Sequence, residues 1–197
     1  MALIIKHAIL GKKCRILNLW GNKFTHESLH ILSTVLNGNQ TLKELDLSHN
    51  YLLDEGVQII SEVLSLDTCA IKELDLSGNA ITDEGAKYLS NMLRKNKKLR
   101  YLVLNKNYIK DDGLMILANA LVDGNENLKQ LKLESNPDIT QDGVRNVLNL
   151  LRNNPMLDDI YVKDCTISDK DFDMLEEMSF TTGFDIIVRN KYKIFSD

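Results

Sequence analysis

Ile71–Lys98 reads IKELDLSGNAITDEGAKYLSNMLRKNKK. Its first half, Ile71-x-x-Leu74-x-Leu76-x-x-Asn79-x-Ile81, is a short alternating run that ends in an asparagine turn, as a strand with one buried face would. Its second half sets Gly85, Leu89, Met92 and Leu93 at helical spacing, with Ala86 on the same face. Such a strand–turn–helix unit cannot bury its apolar face alone. It recurs along nearly the whole chain, with copies starting at Cys14, Leu42, Ile71, Leu99, Leu128 and Leu157, always 28 or 29 residues apart. A fixed step of this size marks a stacked array in which each unit covers its neighbour.

Several columns agree at once. The strand positions align as Leu17/Leu19, Leu45/Leu47, Leu74/Leu76, Leu102/Leu104, Leu131/Leu133 and Ile160/Val162. The turn residue aligns as Asn22, Asn50, Asn79, Asn107, Asn136 and Cys165. Two helix columns follow, Leu29/Val57/Ala86/Leu114/Val144 and Leu32/Ile60/Leu89/Leu117/Val147. The expected fold is α/β: parallel strands about 4.8 Å apart line an inner sheet, and bulkier helices cover the outside. A helical layer wider than the strand layer curves the stack into a right-handed horseshoe segment. The turn asparagines are expected to satisfy backbone groups that no ladder reaches.

Residues 1–197 read as a single domain, with about six repeats from 14 to 178. Residues 1–13 read as a helical cap or remnant of a preceding repeat. Residues 179–197 read as a cap, with Phe184–Val188 as a closing strand and a tail that blunts the sheet edge. Repeat five carries one extra residue at Pro137–Asp138, expected to bulge its turn. Repeat six places Asp171 in the glycine column and offers Phe172, Leu175 and Met178 to the core. With 24 basic and 28 acidic side chains the net charge is −4, which makes no electrostatic case for nucleic acid. The apolar start, Met1–Leu10, is interrupted by Lys6 and His7 and is too short to span a membrane. Three cysteines form no disulfide framework or metal quartet. Cys14 falls in a strand column and Cys165 in the turn column, while Cys69 has no evident slot. A reducing, cytoplasmic location is expected.

The 28/29 step, the L-x-x-L-x-L-x-x-N strand and the D-E-G helix start together resemble the ribonuclease-inhibitor-like class of leucine-rich repeats, over roughly Cys14 to Met178. That class includes ribonuclease inhibitors, the sensor ends of NOD-like receptors, Ran GTPase-activating proteins and the tropomodulin actin-capping domain. The resemblance implies a scaffold and a binding mode and leaves the ligand open.

Three groups of residues are candidates for function. Glu44, Asp46, Glu73 and Asp75 fall on adjacent strands of the concave face. They form either a dock for a basic partner or a solvated remnant of repeat duplication. Ile16, Trp20, Tyr101, Val103, Lys132 and Tyr161 form an aromatic and apolar set on the same face, of the kind found at interface anchors. Trp20 could instead pack under the N-terminal cap. The acidic row Asp54/Glu55, Asp83/Glu84, Asp111/Asp112 and Asp142 suits helix capping better than metal binding. Arg94, Lys95, Lys97 and Lys98 likewise suit a helix C-terminus. Of the histidines only His26/His30 share a helical spacing, and no paired carboxylate set accompanies them. Nucleophile-elbow, Walker and dinucleotide motifs are absent, so neither an enzyme nor a cofactor is expected. The expected function is non-catalytic recognition of another protein, one with a basic patch, on the concave face. The resemblance supplies alternatives: a GTPase-activating protein, an actin regulator, or the ligand-sensing part of an innate immune receptor.

Overall fold

The computed structural model describes residues 14–151, 157–168, 171, 174–175 and 185–187, the last three by their backbone. Seven strands form one parallel sheet in chain order. They are β1 (Ile16–Asn18), β2 (Glu44–Asp46), β3 (Glu73–Asp75), β4 (Tyr101–Val103), β5 (Gln130–Lys132), β6 (Asp159–Tyr161) and β7 (Asp185–Ile187). Alternating with them are α1 (His26–Leu36), α2 (Leu53–Leu64), α3 (Asp83–Lys95), α4 (Asp111–Val122) and α5 (Gln141–Leu151). The expected closing strand is therefore present as β7, in parallel register with β6. The expected cap over residues 1–13, Phe172, Met178 and the tail lie outside the described residues.

The register joins the columns seen in the sequence. Leu17, Leu45, Leu74, Leu102, Leu131 and Ile160 are direct partners across successive strands. From Leu45 onward this row is buried, as are both helix columns. Each fully buried aliphatic side chain contributes about 1.5–3 kcal/mol. Three-residue strands could not hold the stack by their own hydrogen bonds, so this layered burial does. The first repeat is looser, because Cys14 and Leu17 are only partly buried. The extra residue of repeat five bulges as expected: Pro137 and Asp138 are exposed, while Ile139 is fully buried.

Polar ladders tie repeat to repeat. Asn79 is fully buried. Its Nδ2 donates to the carbonyls of Leu47 (3.0 Å), Leu76 (3.0 Å) and Ser77 (3.1 Å), and its Oδ1 accepts from Leu52 N–H (3.4 Å). Asn50, Asn107 and Asn136 repeat the arrangement. In repeat six the turn residue is Cys165, whose thiol meets Leu133 O at 3.4 Å. Burial pushes that thiol up to about 11. A second buried ladder, unexpected from the sequence, closes the opposite edge. Asn96 donates to Leu64 O (2.6 Å) and accepts from Leu99 N–H (2.7 Å), and Asn125 does the same with Leu93 O (2.7 Å) and Leu128 N–H (2.9 Å). Cys69 does have a slot: it is a buried member of the core, where burial raises its thiol pKa.

The D-E-G motif is a clasp between repeats. Asp54 Oδ1 accepts the N–H groups of Thr82 (2.9 Å) and Gly85 (2.9 Å), and its Oδ2 accepts the Thr82 hydroxyl (2.6 Å). Asp83 receives Lys110 N–H (2.8 Å) and Gly113 N–H (3.1 Å), and Asp111 receives Thr140 N–H (2.8 Å) and Oγ1 (2.7 Å). These aspartates were expected to cap their own helices. They cap the next repeat's helix instead, joining the free N–H groups there. The glycine is required by closeness, since a Cβ at Gly85 would lie 2.5 Å from Asp54 Oδ1. Gly113 and Gly143 face Asp83 and Asp111 in the same way.

Candidate functional site

Strand residues between the buried leucines face the open side of the sheet, in rows set by the register. One row runs Ile16, Glu44, Glu73, Tyr101, Gln130, Asp159; the next runs Asn18, Asp46, Asp75, Val103, Lys132, Tyr161. The expected carboxylates are thus brought together as a two-by-two block, Glu44 beside Glu73 and Asp46 beside Asp75. The block adjoins Tyr101 and Val103 on the next strand.

The second row changes character midway. Asp46 Oδ1 accepts Ser48 N–H (2.9 Å) and its hydroxyl (2.5 Å), while Oδ2 accepts from Asn18 Nδ2 (2.8 Å). Asp75 Oδ1 accepts Ser77 N–H (2.8 Å). Both aspartates are half-buried and close the turns that follow their own strands. From β4 onward no aspartate serves this purpose. Asn105 and Glu134 link the turns instead, with Asn105 Nδ2 donating to Glu134 Oε2 (2.9 Å) and Glu134 N–H to Asn105 Oδ1 (2.9 Å). The freed positions hold Val103, Lys132 and Tyr161. Lys132 Nζ lies 4.9 Å from the Tyr161 ring centroid, a cation–π contact. Tyr101, next to Val103 on β4, is exposed. Tyr101, Val103, Lys132 and Tyr161 form one patch across β4–β6.

Trp20 is not part of it. It sits past the end of β1, is 59% exposed, and meets the His49 ring edge-on at 5.8 Å. His49 in turn packs against Gly78, where a Cβ would come within 2.9 Å of its Nδ1 and where φ is +64°. Tyr51, also exposed, follows in the same edge loops. The aromatic set therefore divides into a concave patch on repeats four to six and an edge cluster on repeats one and two. The share of the edge cluster owed to His49 and Tyr51 was missed. A histidine and a tyrosine one position either side of the turn asparagine Asn50 were the available signal. Among the described residues, no group of three His, Cys, Asp or Glu is placed to hold a metal, and no helix is long and apolar enough to cross a membrane.

Residues 38–61, 69–90 and 95–118 match the family model described as Leucine Rich repeat. The chain is 33% identical over 132 residues to mouse (Mus musculus) NACHT, LRR and PYD domains-containing protein 4E, a match covering 67% of this chain and 13% of that protein. It is 32% identical over 145 residues to mouse ribonuclease inhibitor, covering 74% of this chain and 32% of the inhibitor. It thus spans about a third or less of these two relatives. Among solved structures, leiomodin-1 actin-binding site 2 superposes with a TM-score of 0.55 over 92% of this chain and 84% of that one, at 16% identity. That likeness is one of fold. The chain is a leucine-rich-repeat solenoid of the ribonuclease-inhibitor-like kind.

Proposed function

We propose that this chain is a non-catalytic recognition module that binds another protein on its concave face. The observation that carries the reading is the switch along the second row. Half-buried, turn-closing aspartates give way to Val103, Lys132 and Tyr161 beside exposed Tyr101. Solvent-facing strand positions gain nothing from such residues unless a partner covers them, and tyrosine is among the residues that anchor interfaces. A sheet pinned by buried asparagine ladders loses little entropy on binding. Glu44 and Glu73, whose carboxylates close no turn, steer a partner bearing a basic patch toward the neighbouring tyrosines. Asp46 and Asp75 contribute less, because their oxygens already accept hydrogen bonds from their own turns. Trp20 serves as a separate anchor at the edge. A cytoplasmic setting suits the three free cysteines.

Pull-down from cell lysate with the intact chain beside a folded Tyr101→Ala, Tyr161→Ala double variant tests this. A protein held by the first and lost by the second supports the concave patch. Equal retention moves binding to the edges or helices. Leiomodin-1's described fragment is named for actin binding, so purified actin belongs in the same assay.

A further inference from the structure

The edge of the sheet where the strands begin carries a row of cations. Backbone hydrogen bonds stack these residues in step: the N–H groups of Lys43 and Glu44 donate to Arg15 O, and those of Lys72 and Glu73 to Lys43 O. Those of Arg100 and Tyr101 then donate to Lys72 O, and those of Lys129 and Gln130 to Arg100 O. Arg15, Lys43, Lys72, Arg100 and Lys129 thus form one line with steps of about 4.8 Å. Like charges side by side on neighbouring strands are destabilising, and the fold does little to relieve them. Lys43 Nζ donates to Gln40 O (2.9 Å), and Lys129 Nζ meets Asp158 (3.4 Å) where the line ends. Arg15, Lys72 and Arg100 are exposed. Among the described residues, none of the three has a carboxylate within 4.0 Å. Exposed Lys97 and Lys98 widen the line just before Arg100.

Helix-end electrostatics does not account for this row. Arg94 and Lys95 do sit in the last turn of α3, where cations offset the helix dipole. The last turns of α1, α2, α4 and α5 carry no basic residue, and the row itself stands at the strand starts. On a chain of net charge −4 this edge lines up five cations, while Asp54, Asp83 and Asp111 are held in clasps at the helix starts.

We infer that this edge binds an extended acidic segment of a partner protein, with its carboxylates meeting Arg15, Lys72 and Arg100. At those steps the row is about 19 Å long from first to last, the span of about six extended residues. A nucleic-acid strand fits less well. Glu44 and Glu73 stand one residue inside the row and would face its continuous phosphates. A peptide can turn its carboxylates to the row alone. This surface is distinct from the concave patch and does not rest on that reading.

The test uses a fluorescein-labelled hexaglutamate peptide, titrated with the intact chain by anisotropy at low salt and at about 150 mM salt. Lys72→Glu with Arg100→Glu is compared with Lys23→Glu plus Lys106→Glu, which makes the same charge change on the opposite edge. Circular dichroism confirms that each is folded. The row variant is expected to bind at least about tenfold more weakly than the intact chain, and the control within about twofold. No binding by the intact chain, or equal loss in both variants, would overturn the inference. So would tighter row-dependent binding of a labelled single-stranded oligonucleotide, which would make the row a phosphate site.

Discussion

Gly85 is a position where helix propensity and the clasp make opposite forecasts. In an exposed helix, glycine to alanine is favourable by about 1 kcal/mol. At Gly85 the new Cβ would lie 2.5 Å from Asp54 Oδ1 and 2.5 Å from Ile81 Cγ2. Forcing that carboxylate aside also loosens its bonds to Thr82 and Gly85. Overpacking of this kind costs about 1–3 kcal/mol, so after the propensity gain the net expectation for Gly85→Ala is a loss of up to about 2 kcal/mol. Asp54→Ala removes three hydrogen bonds to a charged acceptor and is expected to cost about 2–3 kcal/mol. The double variant has room for the methyl on the carboxylate side, leaving only Ile81 to yield. Its cost is therefore expected to fall short of the sum of the singles by about 1 kcal/mol or more. Equilibrium urea unfolding of the four proteins, followed by circular dichroism, measures the cycle. A stabilising Gly85→Ala, or singles that add to within about 0.5 kcal/mol, would refute the clasp as the reason for the glycine.

Other substitutions test the ladders and the thiol. Asn107→Ala takes one of two donors from each of the carbonyls of Leu76, Leu104 and Asn105 and leaves the N–H groups of Ile81 and Asn79 without their acceptor. It is expected to cost on the order of 3 kcal/mol in the same urea assay. Asn125→Ala, in the second ladder, breaks bonds to Leu93 O and Leu128 N–H and is expected to lose about 2 kcal/mol. For Cys165, burial raises the thiol from 9.0 to about 11. The folded state therefore holds its proton more tightly, and the associated stability is whole below pH 9 and lost as pH rises toward 11. Measured against Cys165→Ala, the parent chain is expected to lose up to about 2–3 kcal/mol across that window. A difference that does not change with pH would show that the thiol is not desolvated.

The period made the fold legible because several residue columns shift together, and a parallel stack turns each column into a row of neighbours. For the same reason the Glu44/Glu73 and Asp46/Asp75 pairs, and the closeness of Val103, Lys132 and Tyr161, are legible in the repeat spacing alone. What the pattern hid was direction. The acidic row at the helix starts was visible, but nothing local says that Asp54 reaches forward to the next repeat's Thr82 and Gly85. A signal was there: Gln141 breaks the aspartate column one repeat before Asp171 breaks the glycine column, so the two partners of one clasp are replaced together. Gly56 lacks such a partner, and its constraint is Leu52, whose Cβ would lie 2.8 Å away from an added methyl group. Asn96 and Asn125 carry no local signal of their role, because their partners are helix-end carbonyls a full repeat earlier. Trp20 was grouped with the concave tyrosines by residue type, and the register separates them. Asp46 and Asp75 read as free charges, since the turn that engages them follows the strand.

The most direct test of the concave site is a photo-crosslink. A benzoylphenylalanine placed at Val103, in the patch, is compared with one at Asn91, exposed on the outer face of α3. With a partner captured by the intact chain, covalent transfer is expected at Val103 and is expected to fail at Asn91. Transfer at Asn91 with none at Val103 would contradict recognition by the concave face.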